Sequence, residues 1–184
     1  MKFNGTRSTI DEYAFTNSDG FTMEGLENAA EIMSNGIRGL KGKYTVKKGI
    51  TLHPYSISGA PFDEIYLPAD VTAFDETSVI NSRSYRVDAD NPNFSVCDSM
   101  LLSKDGSRLL VMPSTDYYSG GVIPPTVTSV GPAAFKGKRF LTIPSSVATF
   151  EMDYSPFSGQ DNHGVYCQNP TPPVFHNIDT TAHF

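Results

Sequence analysis

The sequence predicts a β-rich repeat solenoid, with short strands, tight turns and one unit stacked on the next. Three observations carry that expectation. The phrase I-P-P-T-V-T-S-V at 123–130 returns as I-P-S-S-V-A-T-F at 143–150, and a looser copy, L-P-A-D-V-T-A-F, stands at 67–74. A second mark, a small residue before a bulky apolar one, follows the phrase at Ala133-Ala134-Phe135 and Pro156-Phe157. It is echoed earlier at Tyr13-Ala14-Phe15, Asn35-Gly36-Ile37 and Ala60-Pro61-Phe62. Third, the 184 residues include 15 Gly and 13 Pro but only 18% charged residues, which suits many turns and no long helices.

In each phrase a proline follows the last apolar residue of a strand-like run: Ile65-Tyr66-Leu67, Val122-Ile123 or Leu141-Thr142-Ile143. Proline has no N–H for a sheet ladder, so it suits the strand's end. Turn chemistry explains the prolines and the small residues beside them. It does not explain why Val71, Val127 and Val147, with Phe74, Val130 and Phe150 three residues on, recur in step. A period in the low twenties, with drift, falls within the range of leucine-rich repeats. A unit of that size cannot bury its own apolar face, so stacking must bury it. Val127, Val147, Phe135 and Phe157 are therefore predicted core.

The period breaks between Pro68 and Pro124. Within the break, Met100–Leu102 and Leu109–Met112 flank Lys104-Asp105-Gly106-Ser107, a strong hairpin signal that predicts a type I′ turn at Asp-Gly. Asn91-Pro92-Asn93 marks another turn. Residues 87–113 are expected to form a β-hairpin insertion. Leu26, Ala29, Ala30 and Met33 have helical spacing and predict a short helix within 24–37. The array needs caps. Residues 1–40 are assigned to an N-terminal cap with irregular repeats. Residues 165–184 are assigned to a C-terminal cap, because the prolines between Tyr166 and Phe175 should not extend a sheet. The whole chain, 1–184, is expected to be one domain.

The stretch V-I-P-P-T-V-T-S-V-G-P-A-A-F, from Val122 to Phe135, resembles the unit of the BspA-like leucine-rich-repeat family of bacterial, mostly Bacteroides-group, surface proteins. Val87–Pro113 resembles that family's interrupting segment, and Val165-Tyr166-Cys167 with Pro172-Pro173 resembles its terminal phrase. The likeness covers about residues 60–175 and departs at Asp98-Ser99, where the family has Asp-Gly. It implies a right-handed β-α leucine-rich-repeat solenoid with short helical or 3-10 turns. It further implies a cell-surface or secreted location and possible adhesion to host matrix proteins.

The net charge of −6 argues against nucleic acid, and Lys41, Lys43, Lys47 and Lys48 form the only local basic cluster. The first dozen residues contain no apolar leader, and no run approaches the ~20 apolar residues of a membrane span. Composition leaves a cytoplasmic location open. Cys97 and Cys167 fit no metal-ligand spacing, and burial as small apolar residues is the expectation for both. A disulfide between them remains open at this point.

No catalytic constellation is visible. His53, His163, His176 and His183 have no partners at ligand spacing, and no nucleophile elbow, zinc helix or phosphate-binding glycine loop occurs. Asp88, Asp90, Asn91 and Asn93 form the best carboxylate-amide cluster, which turn formation explains without a metal. No enzyme, cofactor or metal is expected. Candidate binding residues are Tyr66, Tyr117, Tyr118 and Arg139. Tyr66 should point outward, because it alternates with Ile65 and Leu67.

The expected function is a non-enzymatic protein-binding or adhesion module. A carbohydrate-binding module and a structural spacer of a larger surface protein are the alternatives, and a polysaccharide enzyme on a repetitive β scaffold is the least supported. The core assignment is testable. Phe135→Ala should lower the unfolding free energy by about 3–5 kcal/mol, and an unchanged melting temperature would contradict the placement.

Overall fold

The computed structural model describes residues 9–16, 29–38, 42–58, 62–80, 82–114, 121–135, 140–151, 164–171 and 173–176. Over the described residues the chain is a β-solenoid of the leucine-rich-repeat type with almost no helix. Its first half stacks three parallel columns. One holds β1 (Thr9–Ile10), β3 (Glu31–Ile32) and β6 (Thr51–Leu52). A second holds β2 (Phe15–Thr16), β4 (Ile37–Arg38) and β7 (Ile57–Ser58). The third holds β5 (Lys43–Thr45), β8 (Glu64–Leu67) and β9 (Tyr85–Val87). Strand partners lie 20 to 22 residues apart, as in Ile10↔Ile32↔Leu52 and Phe15↔Ile37↔Ile57.

Two turn closures recur once per unit. After each strand of the third column, an N–H bonds back to a carbonyl three residues earlier: Ile50 to Lys47, Val71 to Pro68 and Asn91 to Asp88. Val127 to Pro124 and Val147 to Pro144 repeat it later. The closure turns Val71, Val127 and Val147 into the core, where they are at most 3% exposed. The second closure joins Gly36 to Met33, Ser56 to His53, Ser78 to Asp75 and Ala134 to Gly131. It explains the small residues of the second mark. A Cβ on Gly36 would meet the Met33 carbonyl and Ile32 Cγ2 at 2.9 Å. Asp75 caps the 3-10 turn Glu76–Val79 by accepting from the Thr77 N–H.

Asn91 occupies the position of those core valines and is fully buried. Its Nδ2 donates to the Pro68 and Val71 carbonyls at 2.8 and 2.9 Å, and its Oδ1 accepts from the N–H groups of Asn93 and Phe94, both at 3.0 Å. The side chain thus holds the preceding turn with one end and launches the hairpin with the other. Its amide hydrogen-bonding capacity is used as fully as a buried amide requires.

The hairpin consists of β10 (Phe94–Cys97) and β11 (Met100–Ser103), antiparallel, with β12 (Arg108–Val111) antiparallel to β11. β12 then pairs in parallel with β14 (Ser129–Val130), which continues into β16 (Thr149–Glu151) and β18 (Val174–His176). β12 is therefore also the first strand of a new repeating column. Beside it runs a parallel sheet of β13 (Gly121–Val122), β15 (Phe140–Ile143) and β17 (Gly164–Cys167). β11 and β12 are buried on both faces. Leu101, Leu110 and Val111 pack into the first core, with Ile32, Ile37, Ile65 and Phe62. Met100, Leu102, Leu109 and Met112 pack into the second, with Val127, Val147, Phe135 and Phe150. That double burial explains why Met-Leu-Leu and Leu-Leu-Val-Met read as unbroken apolar runs.

Several expectations need correction. Glu31–Ile32 and Ile37–Arg38 are strands joined by a turn, so the helix expected in 24–37 is not formed over the described part. Stacking in register outweighs the helical spacing of a few residues. The third small-then-bulky echo is Ser56-Ile57, because Ile57 stacks on Ile37 while Phe62 bridges Ser82. The type I′ geometry falls at Asp98 and Ser99, both at positive φ, and at 104–107 only Gly106 has positive φ, following a turn closed by its N–H on the Ser103 carbonyl. Left-handed backbone at Ser99 costs about 1 kcal/mol that glycine would avoid. Cys97 and Cys167 are both exposed free thiols. Cys167 sits in register with buried Ile143, but no described strand lies over it. The prolines between Tyr166 and Phe175 fall between β17 and β18, each the last strand of its own sheet among the described residues. Among the described residues no helix is long and apolar enough to cross a membrane. Val127, Val147 and Phe135 are core as predicted, at 0, 0 and 1% exposure, while Phe157 lies outside the described residues.

The Asn91 assignment generates a prediction. Asn91→Ala leaves the Val71 carbonyl and the Asn93 N–H without their side-chain partner and should cost about 2–3 kcal/mol in urea unfolding. A change too small to resolve would show that the turn closes without the amide.

Candidate recognition face

The alternation of the third column sets its outer face. Tyr44, Ile65, Leu67 and Tyr85 point inward, at 2% exposure or less. Lys43, Thr45, Glu64, Tyr66 and Arg86 take the opposite side, as period-two strands require. The register aligns Lys43 with Glu64, and Thr45 with Tyr66 and Arg86.

These residues bind one another in series. Glu64 Oε1 lies 3.6 Å from Lys43 Nζ and 3.3 Å from Arg86 Nε. The Arg86 guanidinium carbon sits 3.7 Å from the centroid of the Tyr66 ring, a cation–π stack. The Tyr66 O–H donates to Asp88 Oδ2 at 2.7 Å, and Asp88 Oδ1 accepts from the Asp90 N–H. That hydroxyl is the main reason the Asp88 carboxyl is held below the usual carboxylate range, while the Asp88 hydrogen bond pushes the Tyr66 phenol up. Tyr66 therefore points outward as the alternation predicts, but its hydroxyl and one face are occupied. The cluster Asp88, Asp90, Asn91 and Asn93 is turn chemistry.

The β13–β15–β17 sheet repeats the outer face with different residues. Val122, Thr142 and Tyr166 align, with Val122 78% and Tyr166 67% exposed. Thr45, Tyr66, Arg86, Val122, Thr142 and Tyr166 share one repeat position, the residue before the last inward residue of the strand. That position was the signal by which Arg86, Val122 and Tyr166 could have been found. Alternation around Tyr66 does not reach Arg86 or Val122, and Tyr166 reads in the sequence as part of the terminal phrase. Tyr117, Tyr118 and Arg139 lie outside the described residues.

A second polar cluster serves the packing. Arg108, on β12, makes a bidentate pair with Glu76 at 2.8 and 2.9 Å and also reaches Glu151 on β16 at 2.7 Å. Burial pushes the Glu76 carboxyl up against the opposing pull of Arg108. Gly131 makes room for it, since a Cβ there would lie 2.6 Å from Glu76 Oε1. His53 Nε2 lies 2.7 Å from Glu31 Oε1, a cross-strand contact. Among the described residues no group of three or more His, Cys, Asp or Glu side chains is placed to hold a metal ion.

Comparison with known structures agrees with this geometry. The chain is similar to the crystal structure of a leucine-rich repeat protein from Eubacterium ventriosum, at 17% identity and a TM-score of 0.52, covering 93% of this chain and 56% of that one. A second likeness is to the pneumococcal vaccine antigen PcpA, at 11% identity and a TM-score of 0.47, covering 93% of this chain and 57% of that one. The first supports a leucine-rich-repeat fold and, at that identity, the fold alone. The chain spans a little over half the length of either. No family model and no curated protein matches the sequence.

The Tyr66–Asp88 contact can be tested by titration. Asp88 is depressed in the folded state, so it contributes stability present above the ordinary carboxylate range and lost as pH falls through its folded value. In Tyr66→Phe the carboxyl should titrate at higher pH than in the wild type, read by carbon-13 NMR of its side chain. An unchanged Asp88 titration would contradict the assignment.

Proposed function

We propose that the chain is a non-enzymatic protein-binding module of the BspA-like type, acting in adhesion at a bacterial cell surface. Its terminal segments, 1–40 and 165–184, serve as caps of the array. The observation that carries the reading is the outer row itself. Two in-register parallel sheets display large side chains at one repeat position, among them the exposed Val122 and Tyr166 and the stacked Arg86. Tyrosine and arginine on a preformed surface are the residue types that dominate protein interfaces. The absence of a catalytic set among the described residues is compatible with this reading. Tyr66 contributes as a platform within the row, and Tyr117, Tyr118 and Arg139 remain candidate contacts by sequence.

The test uses the full chain against immobilised extracellular-matrix proteins and a glycan array in parallel. Saturable binding to a protein, weakened about tenfold or more by Tyr166→Ala combined with Val122→Glu, is the expected result. Binding to glycans alone would replace this reading with a carbohydrate-binding module, and turnover of a polysaccharide would replace it with an enzyme.

A further inference from the structure

We infer that Arg86 is a prebuilt carboxylate-binding site, and that the partner engages the β5–β8–β9 face through an Asp or Glu side chain of an acidic protein segment. The inference rests on the protein-binding reading and names the chemistry of one contact within it.

The argument begins with what holds Arg86. An arginine on a surface strand ordinarily loses side-chain entropy when it engages a ligand, and that loss offsets much of the contact. Here the side chain is already placed. Glu64 takes Nε at 3.3 Å, and the Tyr66 ring lies under the guanidinium at 3.7 Å. The ring is itself anchored through its hydroxyl to Asp88, whose other oxygen is tied to the Asp90 backbone. Glu64 is only 19% exposed and is aligned with Lys43, so the anchor is fixed in turn. Every support of Arg86 comes from a strand of the stack or the turn behind it.

What remains free is the useful part. The Arg86 side chain is 56% exposed, and its Nη1 and Nη2 groups hydrogen-bond to no carboxylate among the described residues. Nε is committed and the stack fixes the guanidinium plane, so the Nη edge presents paired donors at a set angle. That fork matches a planar carboxylate, and lysine cannot reproduce it.

The surroundings select the class of partner. Among the described residues, Lys43, Arg83 and Arg86 stand among Asp63, Glu64 and Asp88, three charges of each sign. A polyanion such as a sulfated glycan needs an extended positive field, which the three carboxylates cancel. A single carboxylate needs only the fork. An acidic side chain of a protein therefore fits better than a sulfated chain.

The test uses two fluorescein-labelled peptide pools, one with Asp and Glu at alternate positions and one with Asn and Gln in their place, alongside a heparin hexasaccharide. Fluorescence anisotropy reads binding to the full chain. The acidic pool should bind, and the amide pool should bind about tenfold or more weakly, as loss of a charge-assisted fork implies. Arg86→Lys keeps the charge yet should weaken the acidic pool about tenfold, and Arg86→Gln at least as much. Lys48→Gln removes an exposed charge elsewhere and should stay within about twofold. Unchanged urea midpoints would show that the variants fold. No binding of the acidic pool, equal binding of both pools, indifference to Arg86→Lys, or tighter binding of the hexasaccharide would overturn the inference. A chain that binds a matrix protein regardless of Arg86→Lys would sink the carboxylate site and leave the protein-binding reading standing. Failure against every matrix protein would count against that reading separately.

Discussion

The structure depends on one closure made repeatedly: an N–H reaching back to a carbonyl three residues earlier, after β5, β8, β9, β13 and β15. Among the described residues no strand exceeds four residues, so none could hold its place alone. The closure sets where the chain bends, and the bend decides which residue faces the core. With Lys47–Ile50, Pro68–Val71, Asp88–Asn91, Pro124–Val127 and Pro144–Val147 built alike, each strand meets its neighbour without a slip. A slip of one residue would send Ile65 and Leu67 outward and bury Glu64 and Tyr66. The fold and the recognition face are thus consequences of the same bend.

Asn91 shows what happens when the bend keeps its geometry but changes its residue. A valine there contributes apolar area to the stack. The asparagine contributes hydrogen bonds in two directions, and the chain leaves the repeat to make the hairpin. The excursion divides the interior, since β11 and β12 serve one apolar cluster with each face. Arg108 then ties that wall to the 3-10 turn on one side and to β16 on the other. The hairpin is better understood as a partition between two stacked segments than as an appendage.

Much of this was legible in the sequence because it rests on local chemistry. Proline at a strand end, small residues in a bend and valine three residues on are each local, and together they exposed the repeat and its core. The hairpin was legible for the same reason. What escaped depended on neighbours far along the chain. Asp88-Ala89-Asp90-Asn91 is a full copy of the bend, yet with no proline and no valine it reads as an isolated polar turn. The spacing of Leu26, Ala29, Ala30 and Met33 suits a helix until Ile32 is required between Ile10 and Leu52. Cys97 and Cys167 read as buried because cysteine usually is, but their strands stand at an edge. Tyr66 was found from alternation alone. Its loss of freedom to Arg86 and Asp88 could not be, because those partners lie on or just after the next strand, about 20 residues away.

A scaffold of this kind separates two tasks. Inward positions must keep to apolar residues, while the outward position before each bend can vary from Thr45 to Tyr66 to Arg86 without cost to the stack. Variation there is what gives the face its chemistry, and it depends on the register being right. The most direct test is cysteine cross-linking in a background carrying Cys97→Ser and Cys167→Ser. Under mild oxidation the pair Val122→Cys with Thr142→Cys should cross-link readily, because the register places these residues side by side on the outer face. The pair Val122→Cys with Ile143→Cys should not, because Ile143 faces the core and successive side chains on a strand point to opposite faces. The reverse pattern would contradict the register on which both the solenoid and its recognition face rest.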